Sequence, residues 1–422
     1  MIQMTRKLTV LLMTLLLVAL CVPALAAGTL QDQINAAGTT PTTIKLDQNY
    51  KENITIAAGQ TITLDLNGYT LNGGTVKETP TITNNGTLTI TGEGEVYRED
   101  TSTTTTTYYV VKNTGTLTVE SGYFHNDSGK PDKWAGTSLI QNIGTASHTA
   151  VMNIYGGTFE QQHFGVLKND VYSEMNITGG TFKTQGGRIN NQSYVYAALN
   201  YGKLNISDGT FTGSVSTNSY YDPSESVDYV GSTTITGGMF EDAITIGRVP
   251  NNENIPGPGQ ESLSIKGGTF TGKLLISATS KAGISGGHYA ASPDEKYVES
   301  GLVVKDSDPK APYHIGADAE AAIASAKAGS TLTVLKGSAI TNVPVGVKVE
   351  NKTGDKITVN NEPVAPGGEI VIPTPTAAPQ PTAKPVPVAP KTGDSTPITL
   401  YVLCAALAVA CAVWMVRRKA NA

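Results

Sequence analysis

One phrase recurs through the middle of the chain: an alternating strand of the form Leu-x-Ile, a pair of glycines, then Thr and Phe. It reads Met152-Asn153-Ile154 with Gly156-Gly157-Thr158-Phe159, and Met175-Asn176-Ile177 with Gly179-Gly180-Thr181-Phe182. It returns as Leu204-Asn205-Ile206 with Asp208-Gly209-Thr210-Phe211, Thr233-Thr234-Ile235 with Gly237-Gly238-Met239-Phe240, and Leu263-Ser264-Ile265 with Gly267-Gly268-Thr269-Phe270. Leu117-Thr118-Val119 with Gly122-Tyr123-Phe124 is an earlier copy, and Leu88-Thr89-Ile90 leading to Val96 is earlier still. Gly286-Gly287-His288-Tyr289 closes the series in worn form. The closing aromatics lie at 124, 159, 182, 211, 240, 270 and 289, spaced by 35, 23, 29, 29, 30 and 19 residues. A period in the twenties with variable insertions is the mark of a solenoid, in which each unit buries its apolar face against its neighbours.

Within the phrase, apolar and polar residues alternate, so Leu204 and Ile206 face one side of a strand and Asn205 the other. Gly-Gly permits a sharp bend, and Phe restarts the inward face. A second series, Asn85, Asn113, Asn142, Asn169 and Asn200, has nearly the same period. Stacked Asn at turns can hydrogen-bond from coil to coil. Like residues falling on like residues explain why one phrase repeats, which a β-sandwich does not require. The expected fold is therefore all-β and solenoidal.

Composition agrees. Only 15% of the 422 residues are charged, against about a quarter in ordinary globular domains, and 45 are glycine. The balance of 30 basic and 35 acidic residues, with no basic block, excludes nucleic acid as an expected partner.

The repeat resembles the right-handed parallel β-helix proteins of the pectin-lyase-like class, especially their surface-protein relatives in Gram-positive gut bacteria. The resemblance spans roughly residues 28–300 and implies a right-handed β-helix over 27–315. Leu30 to Ala37 reads as a short capping helix ahead of strands at Thr43–Leu46, Ile54–Ile56 and Ile62–Leu66. Ala317 to Ala328 reads as a second helix, followed by Thr331–Leu335, Gly346–Glu350 and Lys356–Val359. The repeated order makes 316–372 a small C-terminal α/β capping module, which would cover an exposed sheet edge.

The chain's two ends read as export and attachment signals. Residues 1–26 have Arg6 and Lys7, an apolar run from Leu8 to Val22 and Ala24-Leu25-Ala26, the pattern of a signal peptide. Residues 373–390 contain seven prolines and read as an extended linker. Ile398 to Val416 is an uncharged run long enough for one transmembrane helix, followed by Arg417, Arg418 and Lys419. Before it stands Ala389-Pro390-Lys391-Thr392-Gly393. The whole of 389–422 resembles the cell-wall sorting signal of Gram-positive surface proteins, with Ala389 where the family's Leu-Pro-x-Thr-Gly motif has Leu. The resemblance implies that sortase processes Pro390, Lys391, Thr392 and Gly393, cutting after Thr392 and joining it to peptidoglycan. A plain single-pass membrane anchor is the alternative. All three cysteines, Cys21, Cys404 and Cys411, lie in the end segments. Processing would leave 25 basic and 34 acidic residues, a net charge of -9.

No catalytic, cofactor or metal site emerges. Asp222, Glu225 and Asp228 cluster beside Tyr220 and Tyr221, but in an insertion that reads as a solvated loop. Arg188 and Arg248 lack a carboxylate one coil away, Gly287-His288 reads as a turn, and Thr103–Thr107 as a low-complexity loop. The functional expectation is a non-enzymatic adhesin or glycan-binding surface protein, its partners host or dietary glycans or surface proteins. A structural stalk and a polysaccharide lyase or hydrolase are the alternatives. The candidate glycan contacts are Tyr194, Tyr196, Tyr220 and Tyr221, on insertions expected to emerge side by side; packing of these rings against the rod is the competing reading.

Overall fold

A computed structural model describes residues 28–76, 78–99, 109–126, 138–161, 165–184, 196–222, 225–247, 259–299 and 301–374. Residues 1–26, read above as a signal peptide, the proline-rich stretch beyond 374, Pro390, Lys391, Thr392, Gly393 and the apolar run 398–416 lie outside them. Among the described residues no helix is long and apolar enough to cross a membrane.

The chain is mostly β, with long parallel sheets in the manner of a β-helix-like solenoid. Each coil of the central repeat supplies three strands. In one coil these are Val111–Asn113, Thr116–Val119 and Tyr123–Asn126; in the next, Ile140–Asn142, Ala150–Ile154 and Thr158–Gln161. The first of each trio stacks in a nine-stranded sheet, and the other two in the main sheet. Pairing is in register, so Leu88, Leu117, Met152, Met175 and Leu204 fall on one another, as do Ile90, Val119, Ile154, Ile177 and Ile206. All ten are buried.

The closing aromatics form one internal column. Phe124, Phe159, Phe182, Phe211, Phe240, Phe270 and Tyr289 pair in register. Successive ring centroids lie 4.7 to 5.0 Å apart, with planes inclined by only 5 to 16°. The strand spacing of ~4.8 Å sets that distance. It exceeds carbon–carbon contact of roughly 3.5–4.0 Å, which leaves room for the offset that stacked rings prefer. Tyr289 ends the column with its hydroxyl donating to the Gly286 carbonyl at 2.6 Å, and burial pushes that hydroxyl above the ordinary tyrosine range.

The two glycines of the phrase have different jobs. At Gly179 a Cβ would lie 2.3 Å from the Tyr155 carbonyl oxygen of the coil beneath, so the position needs the absence of a side chain. Gly180 has φ of 101°, which favours glycine for backbone reasons. Where Asp208 replaces the first glycine, the pairing with the previous coil slips by one residue.

The asparagine series is a hydrogen-bonded ladder, but its first rung is Asn84 rather than Asn85. Asn84 donates to Asn113 at 2.7 Å, Asn113 to Asn142 at 2.7 Å, Asn142 to Asn169 at 2.9 Å and Asn169 to Asn200 at 2.8 Å. These amides are buried inside the coil, at the end of the nine-stranded sheet, rather than exposed in turns. Each of the first four also donates to a backbone carbonyl of the next coil's main-sheet strand, at Thr116, Val151, Glu174 and Lys203. Asn85 sits outside and accepts from Thr114. Pairing explains the shift: Asn84 faces Asn113 in register, and the adjacent residue points to the opposite side.

The first helix spans Leu30–Ala37 and is held by a capping box between Thr29 and Asp32. Glu52 accepts from the Leu30 and Gln31 N–H groups, while Leu30 and Ile34 bury into the first coils. The second helix spans Ala317–Ser325 and stops short of the expected Ala328, because Ala326 turns extended to feed the strand Thr331–Lys336. Residues ahead of 316 also pair with the strands that follow the second helix. Val303–Lys305 pairs antiparallel with Tyr313–Gly316 and with Thr331–Lys336, and Leu302 and Val304 belong to the module's own apolar core. Tyr313–Gly316 also pairs antiparallel with Gly286–Tyr289, which covers the edge of the last coil.

Two stability outcomes follow from these columns. Phe211→Ala should lower unfolding free energy by about 3–5 kcal/mol in chemical denaturation, the usual cost of deleting a buried Phe. Asn142→Ala should cost about 1–3 kcal/mol for each partner left unpaired, although it removes no apolar contact. A change within error for either variant would remove that column from the account of stability.

Candidate functional site

The positions flanking the aromatic column point outward, and over three successive coils they gather chemistry. The strands are Glu95–Arg98, Tyr123–Asn126 and Thr158–Gln161, with Val96, Phe124 and Phe159 inward. In register, Tyr123 pairs with Glu95 on one side and Thr158 on the other, and His125 with Tyr97 and Glu160. The His125 ring stacks on Tyr97 at 4.7 Å and 8°, and on Tyr123 at 4.5 Å and 19°. Tyr123 donates its hydroxyl hydrogen to Glu160 at 3.2 Å, and His125 Nε2 lies 3.5 Å from Glu95 Oε2. The result is one imidazole stacked on two tyrosine rings, with Glu95 beside His125 and Glu160 beside the Tyr123 hydroxyl. His125 is mostly covered, at 14% exposure, whereas Glu95 is 46% exposed and so open to a ligand.

Interior bonding steadies the strand that begins this patch. Arg98 is buried and donates to the carbonyls of Thr79 and Val76. The adjacent Glu99 accepts from Lys51 at 2.8 Å and from Asn72 at 2.6 Å. The Lys51 ammonium, helped by Asn72, holds the Glu99 carboxyl below its usual range.

Ser219–Asp222 and Val227–Val230 form an antiparallel hairpin, with Tyr220 opposite Tyr229 and Tyr221 opposite Asp228. The hairpin leaves the coil between the nine-stranded sheet and the main sheet, after Ser214–Thr217. Tyr196 instead opens the strand Tyr196–Asn200 of the nine-stranded sheet and is half-buried. Tyr221 is exposed; Tyr194 and the Tyr220 side chain lie outside the described residues. The residue at the hairpin's own corner is Tyr172. Its ring meets Tyr229 edge-on at 5.2 Å, and the Tyr229 hydroxyl bonds to Tyr172 at 3.1 Å and to Glu225. These bonds, Glu225's foremost, push the Tyr229 hydroxyl well above the ordinary tyrosine range.

Of the acidic trio, Glu225 is engaged with Tyr229 and Asp228 is exposed on the hairpin; Asp222 accepts from the Glu225 N–H at 3.4 Å. Arg188, Arg248 and Thr103–Thr107 lie outside the described residues. Among the described residues, no group of three or more His, Cys, Asp and Glu is placed to hold a metal ion. A shallow cleft of about 120 Å³ on the outer face lies along Asn176, Asn205 and Thr234. It is well below the roughly 300–1,000 Å³ of ordinary small-molecule sites.

The chain matches no family model, no curated protein and no solved structure.

Glu95, Tyr97, Tyr123, His125 and Glu160 were legible only indirectly: each stands one residue from an inward column position, where alternation points it outward. Tyr229→Phe should loosen the hairpin by removing the hydroxyl shared with Glu225 and Tyr172. Limited proteolysis should then cut between residues 220 and 230 faster than in the parent chain; an equal rate would mean that the ring contact alone holds it.

Proposed function

We propose that the chain is a non-enzymatic protein of the Gram-positive cell surface whose right-handed β-helix binds glycans. The observation that carries the binding part of this reading is the stack of Tyr97, His125 and Tyr123 with Glu95 and Glu160 beside it. Aromatic faces suit the C–H faces of sugar rings, and carboxylates accept bonds from sugar hydroxyls. Two carboxylates beside the rings favour neutral or amino sugars over uronic acids, which they would repel. The order of linker, Pro390-Lys391-Thr392-Gly393, apolar run and basic tail supports covalent attachment to peptidoglycan by sortase.

A stalk without a ligand is the second reading. It is favoured by the outward amides of Asn153, Asn176 and Asn205, which bond to one another at 3.0 and 2.8 Å and so spend their capacity within the rod.

On a glycan array, the exported body should retain a defined subset of neutral or amino sugars, and Tyr97→Ala or Tyr123→Ala should weaken that signal at least roughly tenfold, the scale of one lost stacking contact. Signals unchanged in both variants would move the binding site elsewhere, and no signal at all would favour the stalk. Thr392→Ala should shift the protein from the wall fraction to the membrane fraction; unchanged wall attachment would sink the sortase assignment.

A further inference from the structure

The seam between the last coil and the C-terminal module holds two facing imidazoles. His288 lies in Gly286–Tyr289 and His314 in Tyr313–Gly316, directly opposite in the antiparallel pair. Their Nδ1 atoms are 2.6 Å apart and their rings meet at 76°. Each far nitrogen faces an aspartate. His288 Nε2 is 3.4 Å from Asp318 Oδ1, and His314 Nε2 is 3.0 Å from Asp306 Oδ2. His314 is only 5% exposed, yet Asp306 is not in line to accept a hydrogen bond from its Nε2.

Tautomer chemistry makes this arrangement informative. A carboxylate beside Nε2 favours the proton on that nitrogen, which leaves Nδ1 with its lone pair. At 2.6 Å one Nδ1–H donates to the other Nδ1, so the two nitrogens share a single hydrogen, and a metal ion can take its place as that proton leaves. A carboxylate behind each imidazole is also the usual outer partner of a metal-bound histidine.

We propose that His288 and His314 form a divalent transition-metal site, taking a zinc- or copper(II)-class ion between their Nδ1 atoms. Imidazole nitrogens select ions of this borderline class. Two imidazoles are the protein's share, and water completes the coordination. Metal–nitrogen bonds of about 2.0–2.1 Å in a tetrahedral site place the two nitrogens roughly 3.3 Å apart. The rings therefore part by less than about 1 Å, a movement open to His288, whose side chain is 34% exposed. Asp318 ties the site to the fold: it lies in the first turn of the second helix, and its other oxygen accepts from the Gly287 N–H at 2.6 Å. An ion here would staple the end of the solenoid to the module that covers it.

The test is equilibrium dialysis of the full-length chain against zinc chloride, and separately copper(II) chloride, at neutral pH, followed by elemental analysis. The parent chain should retain about one ion, as a single such site requires. His288→Ala should abolish retention, and Asp318→Asn should weaken it roughly 10–100-fold, as loss of an outer partner does. His148→Ala, on an exposed turn, should retain as much as the parent. His314→Ala removes a buried ring and can misfold, so His288→Ala decides, with circular dichroism confirming its fold. In the same samples, added metal should raise the unfolding temperature of the parent and not of His288→Ala. A parent chain that retains no ion would show that the pair holds only a proton, and the proposal would fall. Retention by His288→Ala equal to the parent's would overturn it as well.

Discussion

Parallel strands hydrogen-bonded in register place each residue ~4.8 Å above its counterpart in the coil below, and every other feature of the body answers to that spacing. A column position is occupied once per coil, so whatever stands there must be compatible with a copy of itself. Aliphatic side chains meet the requirement by contact, as from Ile90 to Ile206. Phenyl rings meet it by stacking at nearly constant tilt, because backbone pairing has already set their separation. Asparagine meets it by donating from one amide and accepting on the next, which satisfies buried polar groups that would otherwise be costly.

The same constraint decides where a binding surface can lie. Outward positions on the strands are also stacked like on like, and a run of Asn153, Asn176 and Asn205 bonds largely to itself. Chemistry accumulates where neighbouring coils differ. Around His125, three coils contribute different residues to one face, so a ring finds rings and carboxylates rather than copies of itself. Among the described residues the hairpin formed by Ser219–Asp222 and Val227–Val230 is another departure, and Tyr172 and Glu225 secure it through Tyr229.

An open-ended stack must also stop. At the first coils, the helix Leu30–Ala37 buries Leu30 and Ile34 over the end of the core. At the last coil, pairing turns antiparallel, and Tyr313–Gly316 occupies the edge that another coil would have used. Beyond it, Thr331–Lys336 pairs parallel with Lys348–Asn351 and begins a second, smaller apolar core. The paired histidines lie on this seam, where two different folding units meet rather than two copies of one.

The solenoid class, the inward Phe column and both helices were legible from sequence because each depends on local alternation or on a short phrase repeated at a period. The first rung of the amide ladder was misplaced by one residue, since Asn84 and Asn85 are adjacent and only the pairing register tells which one faces inward. The partners of Val303–Lys305 were also hidden, because antiparallel pairing with Tyr313–Gly316 and Thr331–Lys336 leaves no repeated phrase. The candidate patch and the histidine seam depended most on tertiary structure. Tyr97 and His125 are 28 residues apart, and His288 and His314 are 26 apart. Sequence alone determined that like residues would stack; the lengths of the intervening loops and the direction of each strand decided which unlike residues would meet, and those are properties of the folded chain.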